Sequence, residues 1–129
     1  MTVFYLTAGE VLSLAGIACD DMRIDVRDAG LLESAVHRPS AEMFGQEAYT
    51  DVFGKAASLL QSLVINHPLV DGNKRTAWLS CMAFLRMNGE SLRPDIDFAE
   101  GLVIDVATGK LEDVLVIAER LRSMRESGA

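Results

Sequence analysis

The stretch HPLVDGNKR, residues 67–75, combines an imidazole, a carboxylate, a glycine, an amide and two cations within nine positions. An apolar segment of helical period follows directly, from Thr76 to Met87,. The pattern predicts a short loop that leads into the N-terminus of a buried helix. Because such a terminus presents unpaired backbone N–H groups and a partial positive charge, it is a natural binding site for an anion.

Two side chains of this loop could take part in chemistry. His67 could act as a general base for an attacking hydroxyl, as histidine often does, or it could simply cap the carbonyls of the preceding helix. Asp71 could hold Mg²⁺ against a di- or triphosphate, or it could belong to an ordinary Asp-Gly turn and cap the next helix. Both alternatives remain open on these residues alone.

The four residues that follow would form a phosphate cradle. Gly72 lets the backbone turn sharply and lets a phosphate approach closely, and Asn73 can cap the helix or orient phosphate oxygens. Lys74 and Arg75 oppose the dipole of the helix that they begin, so a multiply charged anion explains them better than solvent or acidic neighbours do. Residues 72–76 lack the glycine spacing of a Walker A loop. A base, a metal ligand and a phosphate cradle together indicate phosphoryl or nucleotidyl transfer.

Other reactive side chains have plainer interpretations. The segment from His37 to Pro39 could belong to a substrate-binding flap, but a lone loop histidine is more often solvated. Cys81 falls within an apolar helical run and is expected to be a buried thiol. Trp78 and Phe84 are expected in the core.

Apolar residues recur at helical period along nearly the whole chain, which at 129 residues fits one domain, residues 1–129,. We therefore expect an all-α bundle of about six helices, with the motif helix most central. Residues 37–49 are expected to form an irregular connection, and part of it, or 90–93, could be extended. Helix starts are expected at a Thr7–Glu10 capping box, at Asp28, near Asp51, at the looser box Asp97–Glu100 and at about Leu111,.

Two further expectations concern particular segments. Residues 19–25 are polar and acidic and should form a loop. The last helix should turn Leu115, Ala118 and Leu121 inward.

Composition excludes several classes of protein. A formal net charge of −7 argues against direct nucleic-acid binding, which depends on neutralising phosphates,. No segment is long and apolar enough to cross a membrane, and we expect no signal peptide because the N-terminus lacks a basic start. The two cysteines form no CxxC pair, which favours a reducing, cytoplasmic setting,.

Residues 67–75 resemble the Fic/Doc signature, a His-x-Phe-x-Asp/Glu/Asn-Ala/Gly-Asn-Gly/Lys-Arg pattern. With lysine at position 74, the motif resembles that of the death-on-curing (Doc) branch. Residues 6–11, 84–89 and 107–110 are also similar to that branch, as is the length of the chain. The resemblance therefore covers most of the protein and implies a compact Fic-fold helical bundle.

The resemblance also implies roles for individual residues. His67 would be the catalytic base and Asp71 the Mg²⁺ carboxylate, while Gly72, Asn73, Lys74 and Arg75 would bind the nucleotide, with Lys74 also catalytic. Doc-type proteins transfer the γ-phosphate of ATP to a hydroxyl of elongation factor Tu. The implied activity is thus a toxin kinase for a Ser/Thr hydroxyl of a translation factor like elongation factor Tu, which arrests translation.

This chain departs from the wider family at several positions. Typical Fic enzymes transfer AMP. They carry a glycine where this chain has Lys74 and an arginine where it has Trp78. Leu69 replaces the usual phenylalanine as an apolar anchor, and Ile65-Asn66 stand where Doc toxins carry a basic residue. The departures at Lys74 and Trp78 point away from AMP transfer, so nucleotidyl transfer is the second candidate reaction. The departures at Ile65 and Leu69 leave a non-catalytic binding module as a further alternative.

Regulation in trans is a further expectation. Many Fic proteins inhibit themselves through a Ser/Thr-x-x-x-Glu-Gly/Asn helix, and the nearest match, residues 96–101, begins with Ile96. The resemblance therefore implies inhibition by a small, Phd-like antitoxin.

Overall fold

The computed structural model describes residues 2–20 and 24–126, so the predicted 19–25 loop lies partly outside the described residues. The described chain is mostly helical, which confirms the all-α prediction. The elements are α1 Ala8–Ala18, α2 Ala29–His37, a 3₁₀ turn Arg38–Ser40, β1 Glu42–Met43, β2 Gln46–Glu47, α3 Val52–Asn66, α4 Asn73–Met87, α5 Ile96–Ala107 and α6 Val114–Ser123. None of the described helices combines the length and the apolar character that a membrane crossing requires.

Side-chain caps determine where most of the helices begin. Thr7 and Glu10 form the predicted capping box at α1,. Four aspartates accept a backbone N–H bond at the starts of α2, α3, α5 and α6, namely Asp28, Asp51, Asp95 and Asp113,. Helix α4 differs, because its N-cap is Gly72 and no side chain caps it.

Helix α3, and not the motif helix α4, is the most central element, so that prediction is wrong. It packs against α2, α4, α5, α6 and the 3₁₀ turn, whereas α4 packs mainly against α3, α1 and α5. The physical reason is that four small residues, Gly54, Ala56, Ala57 and Ser58, let neighbours approach on all sides, and residues 53–60 are all buried,. On α4, Cys81 and Phe84 are fully buried as predicted, and Trp78 is half-buried.

Helix α5 begins earlier, and helix α6 later, than the sequence predicted. Helix α5 is capped by Asp95, so the predicted Asp97 lies within its first turn. Helix α6 begins at Val114 after the Asp113 cap, and Leu115 is 70% exposed, so the prediction that it faces inward is wrong: the buried face is centred on Ile117 and Leu121, and Leu115 lies well away from it,. Ala118 and Leu121 are buried as predicted, together with Ile117.

The 37–49 connection contains a small β-hairpin. Strands β1 and β2 pair antiparallel, with Glu42 opposite Glu47, and the turn residues Phe44 and Gly45 both have positive φ,. Buried Lys55 fastens this hairpin to α3, because its Nζ lies 3.1 Å from Oε1 of Glu47 and 3.2 Å from the Pro39 carbonyl oxygen. Burial alone would lower the pKa of Lys55, but its contacts with Tyr5 and Glu47 outweigh that effect and raise it,.

Candidate active site

The motif forms the connection between α3 and α4, and a left-handed residue stands at each end. His67 ends α3 with φ 49° and ψ 56°, and Gly72 precedes α4 with φ 79°. Such a conformation costs a non-glycine residue on the order of 1–3 kcal/mol, so contacts around His67 must hold it there. Between them, Leu69 is 1% exposed, which confirms it as an apolar anchor.

The side chain of Asn73 holds the loop from the inside. Its Oδ1 accepts the backbone N–H of Leu69 at 3.0 Å, and its Nδ2 donates to the Leu69 carbonyl at 2.9 Å. The same Nδ2 lies 3.4 Å from Nδ1 of His67. Asn73 is the first residue of α4 and does not cap it. Its side-chain amide links the start of α4 to Leu69 and to His67 at the other end of the motif.

A second segment holds the loop from the outside. Val26 and Leu69 form an isolated antiparallel bridge. The backbone N–H groups of Arg27 and Asp28 both donate to the Pro68 carbonyl, at 2.7 and 3.1 Å, and the Val70 N–H donates to the Asp25 carbonyl at 3.0 Å. Residues 68–70 of the loop are therefore paired with residues 25–28, and this part is not a free surface turn.

A wide, open cavity of about 680 Å³ lies against the motif. It brings together the six predicted site residues, and the side chains of His67, Asp71, Lys74 and Arg75 are exposed there while Asn73 is buried. The lining consists of Cys19, Ile24, Asp25, His67, Val70, Asp71, Gly72, Asn73, Lys74 and Arg75.

The floor of this cavity is electropositive. The first intrahelical bond of α4 joins the Thr76 N–H to the Gly72 carbonyl, so the N–H groups of residues 73–75 lie ahead of the helical ladder,. No side chain caps this terminus, and Lys74 and Arg75 add two charges beside it. Among the described residues neither cation forms an ion pair, so both charges are available to an anion at this terminus,.

The carboxylates at the cavity fit a Mg²⁺ ion that is shared with phosphates. Asp71 and Asp25 both line the cavity, and one oxygen of Asp71 accepts the Gly72 N–H at 2.8 Å. The described residues contain no cluster of three or more His, Cys, Asp or Glu that could hold a metal alone. Mg²⁺ usually takes one or two carboxylates and completes its shell with water and substrate phosphates, so this donor set is suitable.

Sequence reasoning missed Cys19 and Asp25 as lining residues. Both stand in the polar stretch after α1, and nothing local to that stretch marks its pairing with the motif. Cys19 lies against the motif backbone, with its Sγ 4.0 Å from the Gly72 carbonyl oxygen.

Two other candidates lie apart from this cavity. His37 ends α2 and is exposed beside Glu33, with Nε2 3.3 Å from Oε2, which agrees with a solvated histidine. Burial raises the pKa of Cys81 to about 12, so its thiol is a poor nucleophile,.

We expect Gly72→Ala to destabilise the protein and to damage the site. An added Cβ would lie 2.3 Å from Sγ of Cys19, and φ 79° is unfavourable for alanine,. Gly89→Ala is the matched control, because Gly89 has φ 86° but nothing within 4 Å of an added Cβ. Gly72→Ala should therefore lower the free energy of unfolding by about 1–2 kcal/mol more than Gly89→Ala does, measured by urea unfolding.

The double variant Cys19→Ala/Gly72→Ala separates the two causes. Removal of the Cys19 sulfur leaves only an ordinary contact at 3.8 Å, so the extra loss should disappear while the φ cost stays. Equal destabilisation by Gly72→Ala and Gly89→Ala would show that Cys19 does not restrict this position.

An imidazole, two carboxylates and two cations lie around the uncapped N-terminus of a helix in a helical protein, an arrangement suited to a phosphate-bearing ligand,. The Fic/DOC family model matches residues 5–85. Toxin Doc of Mycolicibacterium smegmatis is 50% identical to this chain over 106 residues, 81% of each protein. Protein kinase doc of Escherichia phage P1 is 34% identical over 97 residues, 75% of each protein. The chain belongs to the Fic/DOC family.

Proposed function

We propose that the protein is a Doc-type toxin kinase that transfers the γ-phosphate of ATP to a Ser/Thr hydroxyl of a translation factor similar to elongation factor Tu, and so arrests translation in the cytoplasm. The observation that carries the proposal is the open cavity in which His67 and Asp71 meet the uncapped N-terminus of α4. The relatives named Toxin Doc and Protein kinase doc support the toxin and the kinase activity.

Each motif residue has a role in this proposal. His67 accepts the proton of the target hydroxyl through a ring nitrogen, and the hydroxyl oxygen forms a bond to the γ-phosphorus while the bond to the β–γ bridging oxygen breaks and ADP leaves. The backbone N–H groups of residues 73–75 bind phosphate oxygens, and the Lys74 and Arg75 side chains neutralise charge. Gly72 lets the phosphates reach the backbone.

Asp71, helped by Asp25, would hold Mg²⁺. When bound, the ion supplies charge neutralisation across the phosphate oxygens. Asn73 acts mainly through its backbone, because its side chain is already bonded to Leu69. Most of the catalytic effect would then come from positioning and charge, as is usual for phosphoryl transfer.

Lys74 favours γ-phosphate transfer over AMP transfer. A glycine at this position leaves room for a phosphate directly against the backbone, whereas lysine brings bulk and a charge. Lys74 is exposed on the first turn of α4 and lines the cavity, so it can reach a terminal phosphate there. Transfer of AMP or another nucleotide remains the second candidate reaction.

Control in trans by a small, Phd-like antitoxin completes the proposal. Ile96 begins α5 and cannot supply the hydroxyl of a self-inhibitory helix. The name Toxin Doc supports a toxin that is paired with an antitoxin. Co-purification with a small protein encoded beside this chain would support this part, and full control of toxicity by the chain alone would contradict it.

The reaction is tested by incubating the protein with a candidate translation factor and ATP labelled at either the γ- or the α-phosphate. We expect label in the target from γ-labelled ATP only, and mass spectrometry should find one added phosphate. Label from α-labelled ATP, with the mass of AMP, would replace the kinase by a nucleotidyl transferase. No label from either, with nucleotide binding retained, would favour a non-catalytic module.

A further inference from the structure

Arg27 makes a contact with the motif that no feature of the sequence marks. Its Nε donates to the carbonyl of His67 at 2.6 Å, and its Nη2 donates to the carbonyl of Asn66 at 2.7 Å. One guanidinium therefore binds two consecutive carbonyls where α3 ends. These carbonyls have no intrahelical partner and lie at the negative end of the helix dipole, so a cation is favoured there.

The two carbonyls belong to the peptide groups on either side of the His67 Cα, so both bonds constrain the backbone of His67. His67 adopts φ 49° and ψ 56°, a conformation that an L-residue leaves unless its neighbours hold it,. The direction of the Cα–Cβ bond follows from these angles, so they also decide where the imidazole points. The Asn73 amide nitrogen lies 3.4 Å from Nδ1 of the His67 ring but makes its shorter bonds to Leu69.

We propose that Arg27 is a positioning residue for His67: its planar fork fixes the left-handed backbone of His67 and so aims the imidazole into the cavity. Arg27 needs no contact with nucleotide or target for this role. The inference rests on the proposed function insofar as His67 is the base. Its structural half, the hold on the His67 backbone, can be tested without any activity.

The spectroscopic test uses the fact that the chain has only two histidines. In protein labelled selectively with ¹³C,¹⁵N-histidine, His37 serves as an internal reference, because it lies at the end of α2 and pairs with Glu33. We expect Arg27→Ala to move the Cα and imidazole signals of His67 and to leave those of His37 in place. Unchanged His67 signals would overturn the proposal, whether or not the protein proves to be a kinase.

Kinetics test the catalytic half on the same variants. We expect Arg27→Ala to lower kcat by about 10- to 100-fold, since small misplacements of a catalytic group have effects of this size, with KM for ATP changed by less than about twofold. Arg27→Lys should be intermediate, because an ammonium cannot reproduce the two-carbonyl fork. Arg93→Ala is the control for losing an exposed arginine, since Arg93 pairs only with Glu126 at 3.2 Å among the described residues, and it should keep wild-type kcat.

The outcomes are separable. If Arg27→Ala had the same kcat as Arg93→Ala, or raised only KM, the positioning role of Arg27 would be contradicted. If wild-type protein transferred no label, the proposed function would fail, and the His67 spectra would still decide whether Arg27 holds that residue.

Discussion

His67→Ala should lower phosphate transfer by about 10²- to 10⁴-fold and abolish growth arrest, because the target hydroxyl loses its proton acceptor. The measurement is label transfer from γ-labelled ATP, accompanied by plating of cells that express the variant. His37→Ala is the matched control: it removes the other histidine, which is exposed and lies outside the cavity, and should leave both readouts unchanged.

A second substitution separates chemistry from backbone strain at this position. Asn tolerates the left-handed region better than Ala does, so His67→Asn removes the base and keeps the φ of 49° accessible,. Both variants should lose transfer to a similar degree. Growth arrest that survived either substitution in a folded protein would rule out the catalytic role of His67.

Lys74→Ala should lower transfer by about 10²-fold and yet leave the protein at least as stable as the wild type. In the proposed reaction the cation acts on the transferred phosphate, so its loss should raise the barrier by an amount similar to that seen when one preorganised donor is removed. In the folded protein without ligand the same charge opposes the α4 dipole, and its removal should stabilise the helix by about 0.3–1 kcal/mol at low salt. Opposite signs in activity and stability are the mark of a residue kept for function.

The comparison needs an exposed lysine elsewhere. Lys110 lies after α5 and outside the cavity lining, so Lys110→Ala should leave transfer unchanged. Urea unfolding at low and high salt measures the stability change, which should shrink as salt screens the dipole. A large loss of stability in Lys74→Ala would instead assign the lysine a structural role.

The sequence predicted the elements whose signals are local. Caps such as Thr7 and Asp28 act on N–H groups three residues away, and the motif marks its own helix start. Where two similar signals compete, local patterns predict the wrong one: Asp95 rather than Asp97 caps α5, and the buried face of α6 includes Ile117 instead of Leu115.

The parts of the site that escaped prediction depend on distant pairings. Arg27 and His67 are 40 positions apart, and no periodicity links a polar stretch after α1 to a loop after α3. Asn73 was expected at phosphate or as a cap, but nothing in the residue type indicates that its amide turns inward to Leu69. The central place of α3 likewise depends on how five neighbouring elements fit around its small residues.

The loop between α3 and α4 is hydrogen-bonded on both sides without any ligand, so it has little conformational entropy to lose when a ligand binds,. Asn73 on the inner side and residues 25–28 on the outer side already fix the conformation of this loop. In the proposed function ATP would therefore bind a preorganised site and lose little affinity to ordering the chain. An inhibitor would gain little by distorting so well-braced a segment. In the proposed function it would act by occupying the cavity at the N-terminus of α4, where the nucleotide would bind.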